Sequence, residues 1–420
     1  MTPLEYISQD RFQGFKPGLE RMRALLEGLG NPEKKLRCIH VAGTNGKGSV
    51  SSCLASILNE AGYKTGLYTS PYVICRNEQF QVGGKYISDA ELETAVEALR
   101  PVADAMEDAP SQFEMETALA FWHFVHVGCD FSVIEVGMGG AWDATNVIPA
   151  PEAAVLCAMA LEHTAVLGKT LSEIARVKAG VIKPGCSVVS YANEPEAEAV
   201  FEQVAAENGC KVFRPDFSAL NVTRSELGGI TFDFGPRKDL FIPLAGSYQP
   251  KNAALAATVV DVLRQRGFYI SEDALREGLK NVRWPGRFEL LRRDPIFILD
   301  GSHNPQGMQV TVESIKLHFP GRKLWFLLGV MADKDVASIA RLLGPLAAGF
   351  AAVEPPNARA MKPAELAALL TEQTGIAAEA FDTIPDGVRW VAEKAGPDGV
   401  CAALGSLYFS NQVRTAVAEL

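Results

Sequence analysis

The chain has 420 residues, 48% of them apolar and 21% charged, a globular composition with length for two or three domains of roughly 150 residues each. Fifty acidic residues against forty basic ones leave a net charge of −10. That balance excludes a general nucleic-acid binder, which needs cationic surface against phosphates, but is compatible with a local basic groove for a small anionic substrate. Glu5, Asp10 and Arg11 interrupt the N-terminus, so it does not read as a secretory signal, and no apolar run reaches the roughly 18 residues of a membrane span. The cysteines at 38, 53, 75, 129, 157, 186, 210 and 401 form no CxxC pair. They fit reduced thiols in a cytoplasmic protein better than a disulfide frame or a zinc site.

In chain order, Leu19–Leu29 predicts a helix, Leu36–Ala42 a buried strand, Gly48–Ala61 a helix and Lys64–Thr69 a strand. Glu114–Val127 then predicts a helix, and Asp130–Val136 and Ala153–Met159 predict strands. This alternation implies βαβ units around a mainly parallel sheet. Residues Asn221–Phe234 alternate and run into a Gly-Pro pair, which predicts a small antiparallel excursion before helices at Lys251–Arg266 and Ser271–Leu279. Pro285 and Gly286 break the pattern and predict a linker over 285–296, between a first domain 1–284 and a second domain 297–420. The alternation then resumes with strands at Ile296–Asp300, Lys323–Gly329, Gly349–Val353 and Val400–Leu404. Helices are expected at Pro305–His318, from Asp335 and at the C-terminus. Two α/β domains of unequal size leave a cleft as the natural place for a ligand.

The segment Gly43-Thr44-Asn45-Gly46-Lys47-Gly48-Ser49 lies between a predicted strand and a predicted helix. Glycines there let backbone N–H groups face an anion at the positive helix end, and Lys47 would reach the outer phosphates. The spacing departs from GxxxxGK[ST]: Val41 stands where the first glycine is usual, and Gly48 separates Lys47 from Ser49. A plain glycine-rich turn with a solvated lysine is the competing reading. Glu135 ends an apolar strand, where ligands of parallel sheets collect, and would suit a metal; a strand-end acid that merely solvates or caps is the competing reading. Gly137 and Gly139 begin a dinucleotide fingerprint, but Trp142 occupies its third glycine position, which discounts it. Taken alone, His163 would be a hydrogen-bonded structural histidine and Lys178 a solvated helix lysine.

With its inserted Gly48, Gly43–Ser49 resembles the phosphate loop of the folate branch of the Mur ligase superfamily. The likeness runs in order through Pro17–Arg21, Thr69-Ser70-Pro71, Phe113-Glu114, Glu135–Gly140, Asp143–Asn146, His163-Thr164 and Lys178–Gly180. It continues through Asn252–Ala254, Pro285–Arg287, Asp300–Pro305, Asp333–Asp335 and Gly405–Tyr408. The resemblance implies a Mur-ligase-type P-loop ATPase domain with a mainly parallel sheet, followed by a smaller Rossmann-like α/β domain. It implies an ATP-dependent ligase that adds L-glutamate to a folate, to dihydropteroate or to both through an acyl phosphate. A cytoplasmic monomer with no nucleic-acid or membrane partner is expected.

The resemblance also assigns roles. Gly43, Thr44, Asn45, Gly46, Lys47, Gly48 and Ser49 would hold the triphosphate. From the far side of the cleft, Asn252 would meet the adenine, Arg287 the phosphates and Asp300 the ribose, with His303 shaping the nucleotide pocket. Ser70, Glu135, His163 and Lys178 would hold two Mg2+ ions, Lys178 as a carbamate, and Lys47, Glu135, His163 and Lys178 form the expected catalytic set. Phe113, Glu114, Trp142, Asp143 and Ala144 would receive the pteridine-bearing acceptor, and Ser406 the glutamate. Two departures stand out: Glu162 precedes His163 where an aspartate is usual, and Ala141-Trp142 replaces an Arg-Leu pair. Three other readings stay open. A peptidoglycan-type Mur ligase would normally carry an N-terminal UDP-holding domain, for which a phosphate loop beginning near residue 43 leaves no room. The others are a switch or motor ATPase, and a binding protein that has kept only the fold.

Overall fold

The computed structural model describes every residue except Met1, Phe15 and Pro17, so the first residue of the Pro17–Arg21 block lies outside the described residues. By its internal contacts the chain divides into two compact units. The first comprises 1–71, 76–220 and 251–282; the second comprises 72–75, 221–250 and 283–420.

The first unit is built on eight strands: β1 (Cys38–Ala42), β2 (Thr65–Tyr68), β3 (Phe80–Val82), β4 (Lys85–Tyr86), β5 (Phe131–Glu135), β6 (Ala153–Leu156), β7 (Ser187–Ser190) and β8 (Val212–Phe213). Their order across the sheet is β4-β3-β2-β5-β1-β6-β7-β8. All pairings from β2 to β8 are parallel; β3 and β4 add an antiparallel edge. Every residue of β1, β2, β5 and β6 is buried, as a sheet covered on both faces requires, and this is why those strands read as unbroken apolar runs. Helices Glu20–Gly28, Asp89–Ala105 and Gln112–His126 contribute to one core, with Phe121 and Phe124 fully buried in it. Leu171–Lys178 and Pro195–Glu207 contribute to another, around Ile174 and Phe201. Each such side chain contributes roughly 1.5–3 kcal/mol on leaving water. Helix Glu272–Asn281 packs on Lys47–Glu60 so closely that a Cβ at Gly278 would fall 2.4 Å from the Ile57 Cα.

The second unit holds two sheets. The antiparallel excursion has three strands, β9 (Leu220–Glu226), β10 (Gly229–Phe234) and β11 (Arg237–Ile242), the last lying beyond the Gly235-Pro236 turn that the pattern suggested as an end. The larger sheet runs β12-β13-β17-β14-β15-β16, with β12 (Glu289–Arg293), β13 (Ile296–Asp300), β14 (Leu324–Leu328), β15 (Ala347–Ala352), β16 (Ala378–Ala380) and β17 (Val400–Leu404). All pairs are parallel except β12 with β13.

The expected linker 285–296 is not irregular throughout, because 289–293 form β12, an edge strand bulged between Leu290 and Arg292. Its arginines and half-buried leucines carry no clean alternation, since only one side of an edge strand needs apolar cover. A single cut after 284 also differs from the observed division, which groups 221–250 with the second unit. Among the described residues no helix is long and apolar enough to cross a membrane.

Candidate active site

β1 delivers the chain into the glycine loop at the carboxyl end of the first sheet. Gly43 has φ +145°, and a Cβ there would lie 2.6 Å from the Cys157 Cβ, so the loop lies flat on the segment that leaves β6. The N–H groups of Thr44 and Asn45 donate to the Ala158 carbonyl at 2.9 and 3.0 Å. Thr44 Oγ1 donates to the Ala160 carbonyl and accepts from the Ala160 N–H, both at 3.2 Å. Two amides expected to face a triphosphate are therefore engaged with the chain itself. One step later begins helix Lys47–Glu60, whose first-turn amides have no acceptor within the helix. Its cap is Gly46 at φ +85°, which places no side chain over the first turn, and Gly48 and Ser49 are buried in that turn. The positive end of the helix dipole is thus presented to an anion. Lys47 is half-buried and folds back, Nζ donating to the Thr44 carbonyl at 3.2 Å. A side chain at Gly46 would meet Asn252 Oδ1 at 2.8 Å. Asn252 thus belongs to the first unit and packs against the loop, a correction to its expected place across a cleft.

Glu135 ends β5 opposite Val41 of β1, one strand over from the loop. It is 5% exposed, and the Ser70 N–H donates to its Oε2 at 3.4 Å. Lys178, the last residue of helix Leu171–Lys178, is buried, and its Nζ donates to the Gly43 carbonyl at 2.7 Å. Burial, and next the positive charge of Lys47, push its pKa down to about 7; the charges of Glu162 and Asp143 oppose that shift. The acid that departs from the usual aspartate therefore acts on the buried lysine. His163 is exposed and left-handed at φ 50°, heading the short helix Thr164–Leu167. Among the described residues no three His, Cys, Asp or Glu side chains gather as a metal cage. The oxygen donors of Glu135 and Ser70 instead suit Mg2+, which takes few protein ligands and completes its shell with phosphate and water oxygens.

The segment after Glu135 is tied down on all sides. Asp143 Oδ2 accepts from the Met138 N–H at 2.9 Å, and its Oδ1 accepts from the Thr145 N–H at 3.0 Å and from the Thr145 hydroxyl. The Ala141 N–H donates to the Val177 carbonyl at 2.9 Å, and Asn146 Nδ2 bridges the carbonyls of Ala141 and Gly180. Segment 137–146 and the lysine-bearing helix are thus tied together. Gly137 is required by Phe113: a Cβ would lie 2.5 Å from the ring tip. Half-buried Phe113 and Trp142 offer apolar surface here, Trp142 packing, like Met138 and Val177, against the core around Ile174, while Ala144 is buried. Glu114 caps its own helix through Oε2, which accepts from the Ser111 N–H at 2.6 Å and pairs with Arg21 at 3.3 Å, while its Oε1 is buried with no hydrogen-bond partner. Asp143 spends its oxygens on the main chain and on the Thr145 hydroxyl.

In the second unit Asp300 ends β13. The carboxylate expected to take ribose hydroxyls is fully buried and accepts from Tyr248 Oη (2.9 Å), Phe288 N (2.7 Å), Ser302 N (2.8 Å), Thr311 Oγ1 (3.1 Å) and Ser302 Oγ. It therefore staples two turns, 286–288 and 300–303, which also share the bond from Gly301 N to Gly286 O at 2.9 Å. Arg287 lies across Gly301, where a Cβ would meet Nη1 at 2.5 Å, and His303 Nδ1 pairs with the Gly301 carbonyl at 2.8 Å. Ser406 follows β17 and is buried, its Oγ accepting from the Tyr408 N–H at 3.1 Å. Sequence reasoning singled out neither Tyr248 nor Ala158, and it noted Arg21 only within the Pro17–Arg21 block, with no role. Tyr248 and Arg21 act through side chains whose partners are distant in sequence, and Ala158 through a carbonyl that has no sequence signature.

Comparison with known families and proteins agrees with this geometry. The Mur ligase middle domain matches residues 41–260, and the Mur ligase glutamate ligase domain matches 286–407. A dihydrofolate synthase/folylpolyglutamate synthase of Bacillus subtilis is 36% identical over 416 residues, covering 96% of this chain and 95% of that protein. The chain belongs to the folylpolyglutamate/dihydrofolate synthase branch of the Mur ligase family. Another member of the branch, a folylpolyglutamate synthase of Lacticaseibacillus casei, is 35% identical over 94% of this chain and 93% of its own. Among solved structures, Mycobacterium tuberculosis folylpolyglutamate synthase complexed with ADP has a TM-score of 0.91 at 29% identity, covering 99% of this chain and 97% of that one. Escherichia coli FolC in complex with DHPP and ADP has a TM-score of 0.86 at 27% identity, covering 100% and 98%. The branch therefore accounts for the fold of both units, the mainly parallel first sheet and the second α/β unit included.

Proposed function

We propose that this protein is an ATP-dependent ligase that joins L-glutamate to the carboxylate of a folate, of dihydropteroate or of both. The observation that carries the reading is the convergence of three features at neighbouring strand ends. The helix start at Gly46–Ser49, the acid of Glu135 and the buried Lys178 bonded to Gly43 all lie where β5, β1 and β6 finish. The names of the relatives, and the ADP and DHPP complexes of the solved ones, supply the substrate class.

In this mechanism the γ-phosphoryl group passes to the acceptor carboxylate to give an acyl phosphate. The glutamate amine attacks that carbonyl, and phosphate leaves from the tetrahedral intermediate with its bonding electrons. Three anions must meet, so the protein's task is charge compensation and alignment. Lys47 and the first turn of its helix take the phosphates, with Gly43–Ser49 as their cradle; Arg287 and His303 are the further residues assigned to the nucleotide. Mg2+, held by Glu135 and Ser70, with His163 and Lys178 serving a second ion, would neutralise phosphate charge. Phe113, Trp142 and Ala144 give the flat acceptor an apolar seat, and Ser406 receives glutamate. Lys178, poised near neutrality, is the group that carbon dioxide would convert: the unprotonated amine adds to the carbon and loses a proton, leaving a carbamate in place of a cation. A cytoplasmic location is part of the proposal, since all eight cysteines are unbridged, including Cys186 and Cys210 with sulfurs 3.7 Å apart.

The deciding measurement is ADP production with glutamate plus each acceptor in turn, with products identified by mass. ADP should form only when acceptor and glutamate are both present, with one glutamate added per ADP. ADP formed at an equal rate without acceptor would replace the ligase by a simple ATPase.

A further inference from the structure

His40 opens the motif that ends in the phosphate loop, yet none of the chemistry above uses it. It sits in β1 between Ile134 of β5 and Ala154 of β6 and is completely buried. A buried imidazole is costly unless its polar atoms are used. Nε2 lies 2.8 Å from Thr145 Oγ1, whereas Nδ1 is buried with no hydrogen-bond partner. The Thr145 hydroxyl has a single proton, and it goes to Asp143 Oδ1. Its oxygen must therefore accept from His40, which fixes the Nε2–H tautomer of a neutral ring. Burial holds the pKa of His40 down at about 3, so the ring stays neutral under ordinary conditions. The chain of donors runs from His40 through Thr145 to Asp143, whose other oxygen holds the Met138 N–H. One end of this relay is fixed to the strand that carries the phosphate loop; the other fixes the main chain that follows Glu135.

We propose that His40 is a positioning residue: through Thr145 and Asp143 it sets segment 137–142 at a fixed distance from the phosphate loop at the end of its own strand. The proposal rests on the reading that this segment and Phe113 seat the acceptor. Its consequence is selective, because the relay touches the acceptor side and leaves the loop's own bonds to Ala158 intact.

The test compares Thr145→Val and His40→Leu with Thr145→Ser and His40→Gln, which keep the hydroxyl and a donor in the Nε2 position. The first pair should raise KM for the acceptor, about tenfold for Thr145→Val, which removes a charge-assisted hydrogen bond, and about threefold for His40→Leu, which removes a neutral one, with KM for ATP unchanged and folding verified by thermal melting. The second pair should recover most of the loss. The proposal is overturned if Thr145→Val, folded, keeps the parent acceptor KM, or if both KM values rise together and the conservative variants rescue neither. Phe113→Ala tests the underlying reading by itself. A normal acceptor KM in that variant removes the reading and the proposal together, whereas a raised one beside an unaffected Thr145→Val removes the proposal alone.

Discussion

Glu135 and Asp300 occupy equivalent places in the two units: each is the acid that ends a five-residue strand of a mainly parallel sheet. Their fates differ. Asp300 is enclosed, with five donors converging on two oxygens. Glu135 keeps a small exposed fraction and receives a long 3.4 Å bond from Ser70 N. An acid fully enclosed and saturated by its own chain is a structural staple, whereas one that keeps exposure beside the phosphate loop can meet a cation or ligand. Position at a strand end is thus a weaker guide to function than the enclosure of the carboxylate.

The contrast can be broken most decisively by activity. Glu135→Gln and Lys47→Ala should each lower kcat/KM for the ligase reaction by roughly 10²–10³-fold, as loss of a charge-stabilising group does, with melting behaviour retained. Turnover near the parent level would leave Glu135 no more functional than Asp300. Asp300→Ala should show the opposite profile: an unfolding free energy lower by about 3 kcal/mol in denaturant titration, because Tyr248 and the buried amides lose their acceptor. A variant as stable as the parent would mean that the staple holds nothing.

The smallest effect sharpens the picture around Lys178. Its pKa is about 7 when folded against 10.5 as an ordinary lysine, so between those values the unfolded chain holds a proton that the folded chain has released. Stability relative to Lys178→Met should therefore rise with pH through that window and be flat below it. Carbon-dioxide-free buffer is required, since a carbamate would abolish the titration. A flat difference across the whole window in such buffer would remove the buried amine from the account.

Much of the fold was legible in the residues. Helix Pro305–His318 and strand Val400–Leu404 fall at their expected bounds, because a proline at the first helical turn and a short apolar run between polar segments are local signals. Strand β12 was not legible, since an edge strand needs little apolar patterning. The same division runs through the site. The residue types of the phosphate loop, and Glu135 at the end of its strand, could be read directly. That the amides of Thr44 and Asn45 turn to Ala158, that Glu114 pairs with Arg21, and that Asn252 packs against Gly46 could not be, since each depends on a partner far away in sequence.

By itself, then, the order of residues determined the alternating α/β architecture, the family and the chemical inventory, because periodicity and short motifs are properties of neighbouring residues. Which carboxylates and amides are spent inside the molecule, and which remain for a ligand, only the tertiary structure decided. Hydrogen-bond saturation is a property of what surrounds a group in space.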